Sequence, residues 1–534
     1  MFLCDNELKD RALWESKGFI LPRFDREIVR ERTRKEPVWL HFGAGNIFRS
    51  FPAVIQQRLL DEGLQDRGII VAEGYDHEII DAAYAAYDDL SVSVTLKADG
   101  SIEKTVVASV VESLKMDRDG LERLKEIFAA PSLEMVSLTI TEKGYSLVRG
   151  DGSVLPDVDA DFNNGPSRPE SYMGKLAALC CHRYRSGAGP LALVSMDNCS
   201  HNGSLLYDAV RSFASEWVSR GFLEKGFLEY VDDPASLSFP WSMIDKITPR
   251  PDDSVAAMLG ESGLDSAAGR VTAKNTYIAV FVNAEESEYL VIEDAFPNGR
   301  PPLEKAGVLI TDRKTVDKTE KMKVCTCLNP LHTGLAVFGC LLSYKRISDE
   351  MKDDSLQKLV RRIADEGLPV VVDPKIISPA EFIDTVINVR LPNPFMPDTP
   401  QRIATDTSQK VSIRFGETVK AYIRSGKLDT GELRAIPLVL AGWCRYLLGL
   451  DDGGVAFELS PDPLLEKLRP LFSDVVFGWR ASYAETLRPL LSDAAIFGLD
   501  LYEAGIAKRV VEYFELMTEG PGAVRKTLEA VLAD

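Results

Sequence analysis

Two short runs carry the first chemical signal. Gly43-Ala44-Gly45-Asn46-Ile47-Phe48 follows the apolar run VWLHF (38–42) and precedes a stretch, Phe51 to Asp61, whose pattern predicts a helix ending at Gly63. Strand, glycine turn and helix start in that order make a phosphate cradle. Gly43 permits the tight turn, Gly45 lets backbone approach a pyrophosphate, and the N–H groups of Asn46, Ile47 and Phe48 at the helix start face its charge. Phe48 stands where the usual dinucleotide fingerprint has its third glycine, and Pro52 falls in the first helical turn rather than mid-helix. A second strand, GIIVA (68–72), ends in Glu73-Gly74-Tyr75-Asp76. That places carboxylates, Asp76 among them, where they accept from ribose hydroxyls and disfavour a 2′-phosphate. Taken singly, the glycine turn is an ordinary loop and Asp76 a strand end; together they predict a dinucleotide site, with NAD favoured over NADP.

Other residues have the right types for acid–base or oxyanion chemistry but ordinary structural roles when taken alone. Asn198 follows Asp197 at a strand end, the place of an Asx-turn. Asn329 precedes Pro330, the pattern of a helix N-cap followed by proline, and His332 then falls in that helix's first turn. Lys323, Arg402 and Lys410 read singly as solvated surface charges.

Size and charge narrow the classes. A chain of 534 residues predicts two or three domains. A net charge of −19 argues against nucleic acid or an anionic membrane as partner. The N-terminus MFLCDNELKD is charged where a signal peptide needs an apolar core, and no apolar run approaches the roughly 18–20 residues that span a bilayer, so a cytoplasmic location is expected. The 8 cysteines form no C-x-x-C pair and there are only 5 histidines, a composition of reduced thiols with no zinc cage. The Asn-x-Ser matches at Asn198 and Asn202 carry no glycosylation meaning in that compartment.

The elements that must position these residues follow from periodicity. VWLHF (38–42), GIIVA (68–72), MVSLTIT (135–141) and LALVSM (191–196) read as buried strands alternating with helices, which predicts a parallel, doubly wound sheet. KTVVASVVESL (104–114) reads as an additional strand pair or edge, and GYSLVRGDGSVLP (144–156) as a hairpin with an Asp-Gly turn. After about residue 285 the apolar spacing turns helical, as in DSLQKLVRRIADEG, TGELRAIPLVLAGWCRYLLGL and LYEAGIAKRVVEYFELMTEG. The expectation is an α/β protein: a Rossmann-like doubly wound domain with insertions over 1–285, a mainly α-helical domain over 286–534, and a crossing near 283–308.

Six blocks occur in order: HFGAGNIFR (41–49), TEKGY (141–145), SMDNCSHNG (195–203), FPWSMIDKITP (239–249), EKMKVCTCLNPLHTGLAVFG (320–339) and RIATDTSQK (402–410). From about residue 37 to at least residue 410 the chain resembles the polyol-specific long-chain dehydrogenases, the mannitol dehydrogenase family. Its members include mannitol 2-dehydrogenase, fructuronate reductase (D-mannonate oxidoreductase) and tagaturonate reductase. The resemblance implies a nucleotide-binding domain and a helical domain closing over a small sugar acid or polyol, with NAD as cofactor and no metal.

By the same resemblance Lys323 matches the family's catalytic lysine, Asn329 and His332 the asparagine and histidine after it, and Asn198 the second asparagine. Arg402 and Lys410 match a basic pair holding substrate, and Asp245 a substrate-pocket aspartate. Lys323 is preferred to Lys321 because Glu320 then lies three residues before it, as the family's glutamate does. One departure stands out: five residues, Val324 to Leu328, separate Lys323 from Asn329 where family members commonly have four.

The implied chemistry is ketone/secondary-alcohol interconversion. Lys323 would supply the proton, provided its surroundings lower its affinity for it, and the two asparagine amides would stabilise the developing oxyanion. His332 would orient a neighbouring hydroxyl, and Glu320 would relay protons to solvent. Arg402 and Lys410 would suit a carboxylate as well as hydroxyls. The Asn-Pro-Leu-His variant resembles mannonate-type members, so a fructuronate reductase type is the leading expectation, with mannitol 2-dehydrogenase and tagaturonate reductase as rivals. A non-catalytic NAD-binding regulator and a zinc alcohol dehydrogenase are the alternatives of other classes; the assembly expected is a monomer or small homo-oligomer.

Overall fold

The computed structural model describes residues 1–265 and 268–533. The chain divides into two compact units, one comprising Met1–Leu96 and Ser101–Asp317, the other Lys97–Gly100 and Lys318–Asp534. The division therefore falls later than 285. The reason is that Tyr289–Glu293 and Leu309–Thr311 join Ser242–Asp245 in a three-stranded sheet, so the segment expected to cross between domains is a structural part of the first unit.

The first unit is built on six parallel strands: β1 (Trp39–Phe42), β2 (Ile69–Glu73), β3 (Val110–Lys115), β4 (Met135–Leu138), β5 (Leu191–Ser195) and β6 (Leu237–Ser238), in the spatial order β3-β2-β1-β4-β5-β6. This is the dinucleotide-binding order, with its reversal point between β1 and β4. Alternate residues of each strand feed opposite cores. Leu40, Phe42, Ile70, Val136, Leu138 and Leu193 pack with the helices Arg118–Phe128, Tyr172–Ser186 and Asn202–Ser219. Trp39, Ile69, Val71, Met135 and Val194 pack on the other face with the helices Pro52–Asp61 and Glu78–Ala83. Burial on both faces explains why these strands read as unbroken apolar runs, each such side chain contributing roughly 1.5–3 kcal/mol.

KTVVASVVESL splits between two sheets. Val110–Lys115 is β3 itself, an edge strand of the nucleotide sheet rather than an insertion. Ile102–Val107 joins Phe19–Ile20, Ser91–Leu96 and Phe281–Glu285 in a second, four-stranded sheet. The hairpin over 144–156 is present but short: a bridge between Val148 and Val154 is closed by Asp151 and Gly152, the latter at φ 84°.

In the second unit, the helix Ala435–Tyr446 is buried on every side, which marks it as the centre of the bundle. The helices Asn329–Leu341, Asp354–Gly367 and Ala507–Thr518 pack against it, and Ala523–Val531 packs on Ala507–Thr518. Arg313–Leu341 runs as one 29-residue helix, long and apolar enough by composition to cross a membrane. Its most apolar window is 78% buried by protein, as befits a core helix. Among the described residues, π turns occur at Lys323–Cys327, Val386–Arg390 and Ser412–Gly416.

Candidate active site

The glycine turn sits at the reversal point of the nucleotide sheet. Gly43 has φ 102°, and a Cβ there would lie 2.2 Å from the carbonyl oxygen of Thr139, the residue after β4. Only glycine lets β1 end against β4 in this way. Gly45 has φ in the ordinary extended range, and a Cβ there would meet no atom within 4 Å. The space above Gly45 is thus open to a ligand. The helix Asn46–Ser50 begins beside it with no side chain capping its first N–H groups, which fits a dinucleotide pyrophosphate.

Gly45, Asn46 and Ile47 form the partly exposed lip of the turn, whereas Phe48 is buried. Its ring stacks on His41 at 4.1 Å, so Phe48 fills the volume beneath the turn and its side chain does not face a ligand. His41 is hydrogen-bonded to Ser137 and Thr139, and burial pulls its pKa down to about 3, which keeps it neutral.

Glu73, not Asp76, organises the turn: its carboxylate accepts from the N–H groups of Ala44 (2.8 Å), Tyr75 (2.7 Å) and Asp76 (3.1 Å). Asp76 is 3% exposed and already accepts from Thr272 Oγ1 at 2.6 Å, so it does not lie open at the surface. Tyr75 is the solvent-facing residue of that turn, with Lys274 Nζ 4.2 Å from its ring centre.

The SMDNCSHNG block holds two asparagines with different duties. Asn202 is fully buried and staples β5 to Ser242–Asp245, donating to the carbonyls of Ser195, Asp197 and Ser242 and accepting from Ser242 N–H. Asn198 is exposed, just past the end of β5. Between them in importance is Asp197, which the sequence reading passed over. Its carboxylate takes the N–H groups of Ile140 and Thr141 and the hydroxyl of Tyr145, tying the TEKGY block to the end of β5. Burial raises the Asp197 pKa despite those three donors and pushes Tyr145 well up. Asp245, the last residue of its strand, is 5% exposed in the same unit.

In the helical unit Lys323 is 3% exposed and opens a π turn, Lys323–Cys327, in which Leu328 N–H donates to Lys323 O at 3.0 Å. A single extra residue in a helix is accommodated as such a bulge, so the fifth residue between Lys323 and Asn329 widens one turn without breaking the helix. Asn329 is the first residue of the following helix, not its cap; the cap position is Leu328. The capping role open to Asn329 is therefore not the one it plays. Glu320 lies in the preceding helical turn, within Arg313–Met322.

His332, one turn further on, is held neutral. Burial is the main cause, with the positive charges of Arg390, Arg414 and Arg402 adding to it, and together they pull its pKa down to about 3. Its Nε2 lies 3.4 Å from Asp398 Oδ2, and Asp398 also pairs with Arg402. Lys410 donates to Thr405 O at 2.5 Å, and burial lowers its pKa, with Arg414 contributing. Arg402 thus lies beside His332 through Asp398, and Lys410 lies beside Arg414, which also reaches His332; Arg390, Asp398 and Arg414 were not anticipated. No cluster of three or more His, Cys, Asp or Glu side chains able to hold a metal ion occurs among the described residues.

Comparison with known proteins gives matches over nearly all of this architecture. The family described as the mannitol dehydrogenase Rossmann domain matches residues 38–305, and that described as the mannitol dehydrogenase C-terminal domain matches residues 315–518. D-Mannonate oxidoreductase of Thermotoga maritima is 54% identical over 529 residues, covering 98% of each chain. The structure of Pseudomonas fluorescens mannitol 2-dehydrogenase, a ternary complex with NAD and D-mannitol, superimposes with a TM-score of 0.70 at 26% identity over 100% of both chains. A D-sorbitol dehydrogenase in substrate-free form shares the fold, with a TM-score of 0.79 at 24% identity over 100% of both chains.

Proposed function

This chain belongs to the mannitol dehydrogenase family, and from that premise we propose that it oxidises a secondary alcohol of D-mannonate to the corresponding keto acid and catalyses the reverse reduction. It is an NAD-dependent oxidoreductase acting on CH–OH groups. The observation that carries the choice of substrate is the 54% identity, across 98% of both chains, to a protein named D-mannonate oxidoreductase.

Residues of the first unit hold the cofactor: the Gly43–Gly45 turn and the N–H groups of Asn46, Ile47 and Phe48 take the pyrophosphate. When bound, the nicotinamide exchanges a hydride with the substrate carbon. Lys323 holds the proton that moves to and from the substrate oxygen. The amides of Asn198 and Asn329 donate to that oxygen as charge develops on it, each worth about 2.7–4 kcal/mol of transition-state stabilisation by analogy with oxyanion donors generally. Neutral His332 binds an adjacent hydroxyl and Asp245 another, while Arg402 and Lys410 hold the remainder of the substrate.

The test is NADH oxidation with fructuronate, tagaturonate and fructose in parallel. Fructuronate should give the highest kcat/KM, and turnover of fructose alone discards the uronate assignment. Chelator treatment should leave the rate unchanged.

A further inference from the structure

We propose that Arg414 recognises the substrate carboxylate, making it the residue that selects a sugar acid over a neutral polyol. The inference rests on the sugar-acid reading above and assigns a role to a residue that neither the sequence blocks nor that reading uses.

Arg414 lies in the π turn Ser412–Gly416, four residues after Lys410. Its guanidinium is largely withdrawn from water. Burial pulls its pKa down to about 10, and among the described residues its guanidinium makes no ion pair with a carboxylate. The nearest acid along the chain, Glu417, is taken by Lys420 and Arg424. The hydrogen bond that Arg414 does make among the described residues goes from NH1 to the neutral hydroxyl of Thr333. A buried cation without a counter-charge is expensive. Its retention makes sense if the counter-charge arrives with the ligand.

Position identifies that ligand. Thr333 follows His332 directly, and its hydroxyl donates onward to Asn329 O at 2.8 Å. Arg414 is thereby anchored to the helical turn that carries Asn329 and His332. Its charge reaches His332 and Lys410. Of the acids nearby, Asp398 is engaged by Arg402 and His332, and Asp462 by Ser408 N–H and Oγ, while Asp406 faces Lys410. None of these neutralises Arg414. A hydroxyl supplies no negative charge, whereas a carboxylate matches the two-pronged donor edge of a guanidinium in both charge and geometry. With one nitrogen fixed by Thr333, the fork is oriented before substrate enters, so less side-chain freedom is lost on binding.

The experiment compares D-mannonate with D-mannonamide, in which a neutral carboxamide replaces the carboxylate, in the wild type and in Arg414→Gln, Arg414→Lys and Thr333→Val. Wild type should favour D-mannonate by about 100-fold in kcat/KM, the usual scale for a desolvated charge pair. Arg414→Gln should lower kcat/KM on D-mannonate far more than on the amide and so erase most of that preference; Arg414→Lys, or added guanidinium with the Gln variant, should restore part of it. Thr333→Val, which keeps the charge but frees the fork, should keep part of the preference. Equal losses on both substrates in Arg414→Gln would show a structural role and overturn the proposal, as would a wild type indifferent to the carboxylate. If wild type turns over neither compound but does oxidise D-mannitol, the substrate reading itself fails, a result visible before any variant is made.

Discussion

Asp197 accepts the N–H of Thr141 at 2.8 Å, and Thr141 sits at φ 65°, ψ 158°, a backbone region that is essentially glycine's alone. Such a conformation costs about 1–3 kcal/mol at a β-branched residue and persists only where its surroundings impose it. Here the imposing group is one carboxylate at the end of β5, acting on the segment that leaves β4 beside the glycine turn. The strain therefore lies at the mouth of the nucleotide sheet, where a fixed loop has functional use.

From this pair a coupled result is expected. Asp197→Asn should destabilise the protein by about 2 kcal/mol, because the two amides lose a charged acceptor. Thr141→Gly should be close to neutral, since relief of strain is offset by glycine's greater chain entropy. In the double variant the loss should be smaller than the sum by at least about 0.5 kcal/mol, read from urea denaturation as a double-mutant cycle. Strict additivity would mean that Asp197 does not hold Thr141 in place.

The two glycines of the turn should respond in opposite ways. Gly43→Ala drives a methyl to 2.2 Å from a backbone carbonyl, so β1 and β4 must separate. A loss of at least about 3 kcal/mol in stability is expected, within the range for strained backbone and overpacking. Gly45→Ala meets open space, so its melting temperature should stay near wild type. NADH affinity, followed by fluorescence titration, should nevertheless fall about tenfold, as the methyl occupies the approach path of the pyrophosphate. Unchanged NADH binding in Gly45→Ala would move the cofactor phosphates elsewhere.

How far the sequence could be read depended on whether a residue's role is local. The strands Trp39–Phe42 and Leu191–Ser195 were legible because burial on both faces leaves continuous apolar runs, and Gly43 because a left-handed turn demands its residue type. Asp76 stood out because an acid at a strand end is the expected ribose partner. Nothing local says that Glu73, three residues earlier, is the one gathering the turn's N–H groups, or that Thr272, far away in sequence, covers Asp76. Arg414 was illegible for the same reason: its meaning comes from Thr333 and His332, which reach it only through the packing of the helical unit. Val110–Lys115 could be read as an added strand or as an edge; it is the edge strand, and its neighbour Ile102–Val107 belongs to another sheet.

Glu350 gives a pH signature independent of catalysis. It is fully buried, with neither carboxylate oxygen hydrogen-bonded, and Gly339 leaves just enough room for its head group. Burial, with the negative charges of Asp353 and Asp349 adding to it, holds its pKa well above the ordinary range; Cys340, itself pushed up to about 12, also faces it, and Lys345 lies near Cys340. The folded state keeps a proton that the unfolded state releases. Below the unfolded pKa both states are protonated and nothing is lost; as pH rises above it, stability falls until the folded group also ionises. Glu350→Gln should match wild type at pH 4 and exceed it by more than about 1 kcal/mol at pH 8, given about 1.4 kcal/mol per pKa unit. A variant weaker than wild type at pH 8 would reveal an ionised Glu350 with a partner.

The π turn at Lys323 makes the sharpest demand on the proposed chemistry. Each residue of an α-helix advances about 100° around the axis, so the extra residue sets the direction of Lys323 relative to Asn329 and His332. Lys323→Ala removes the amine and leaves the backbone of the turn as it is, so NADH affinity should hold while kcat falls by at least about 100-fold, the scale of a lost general acid–base group. A variant with undiminished turnover would show that the proton moves through another group, and the assignment of Lys323 as proton carrier would have to be given up.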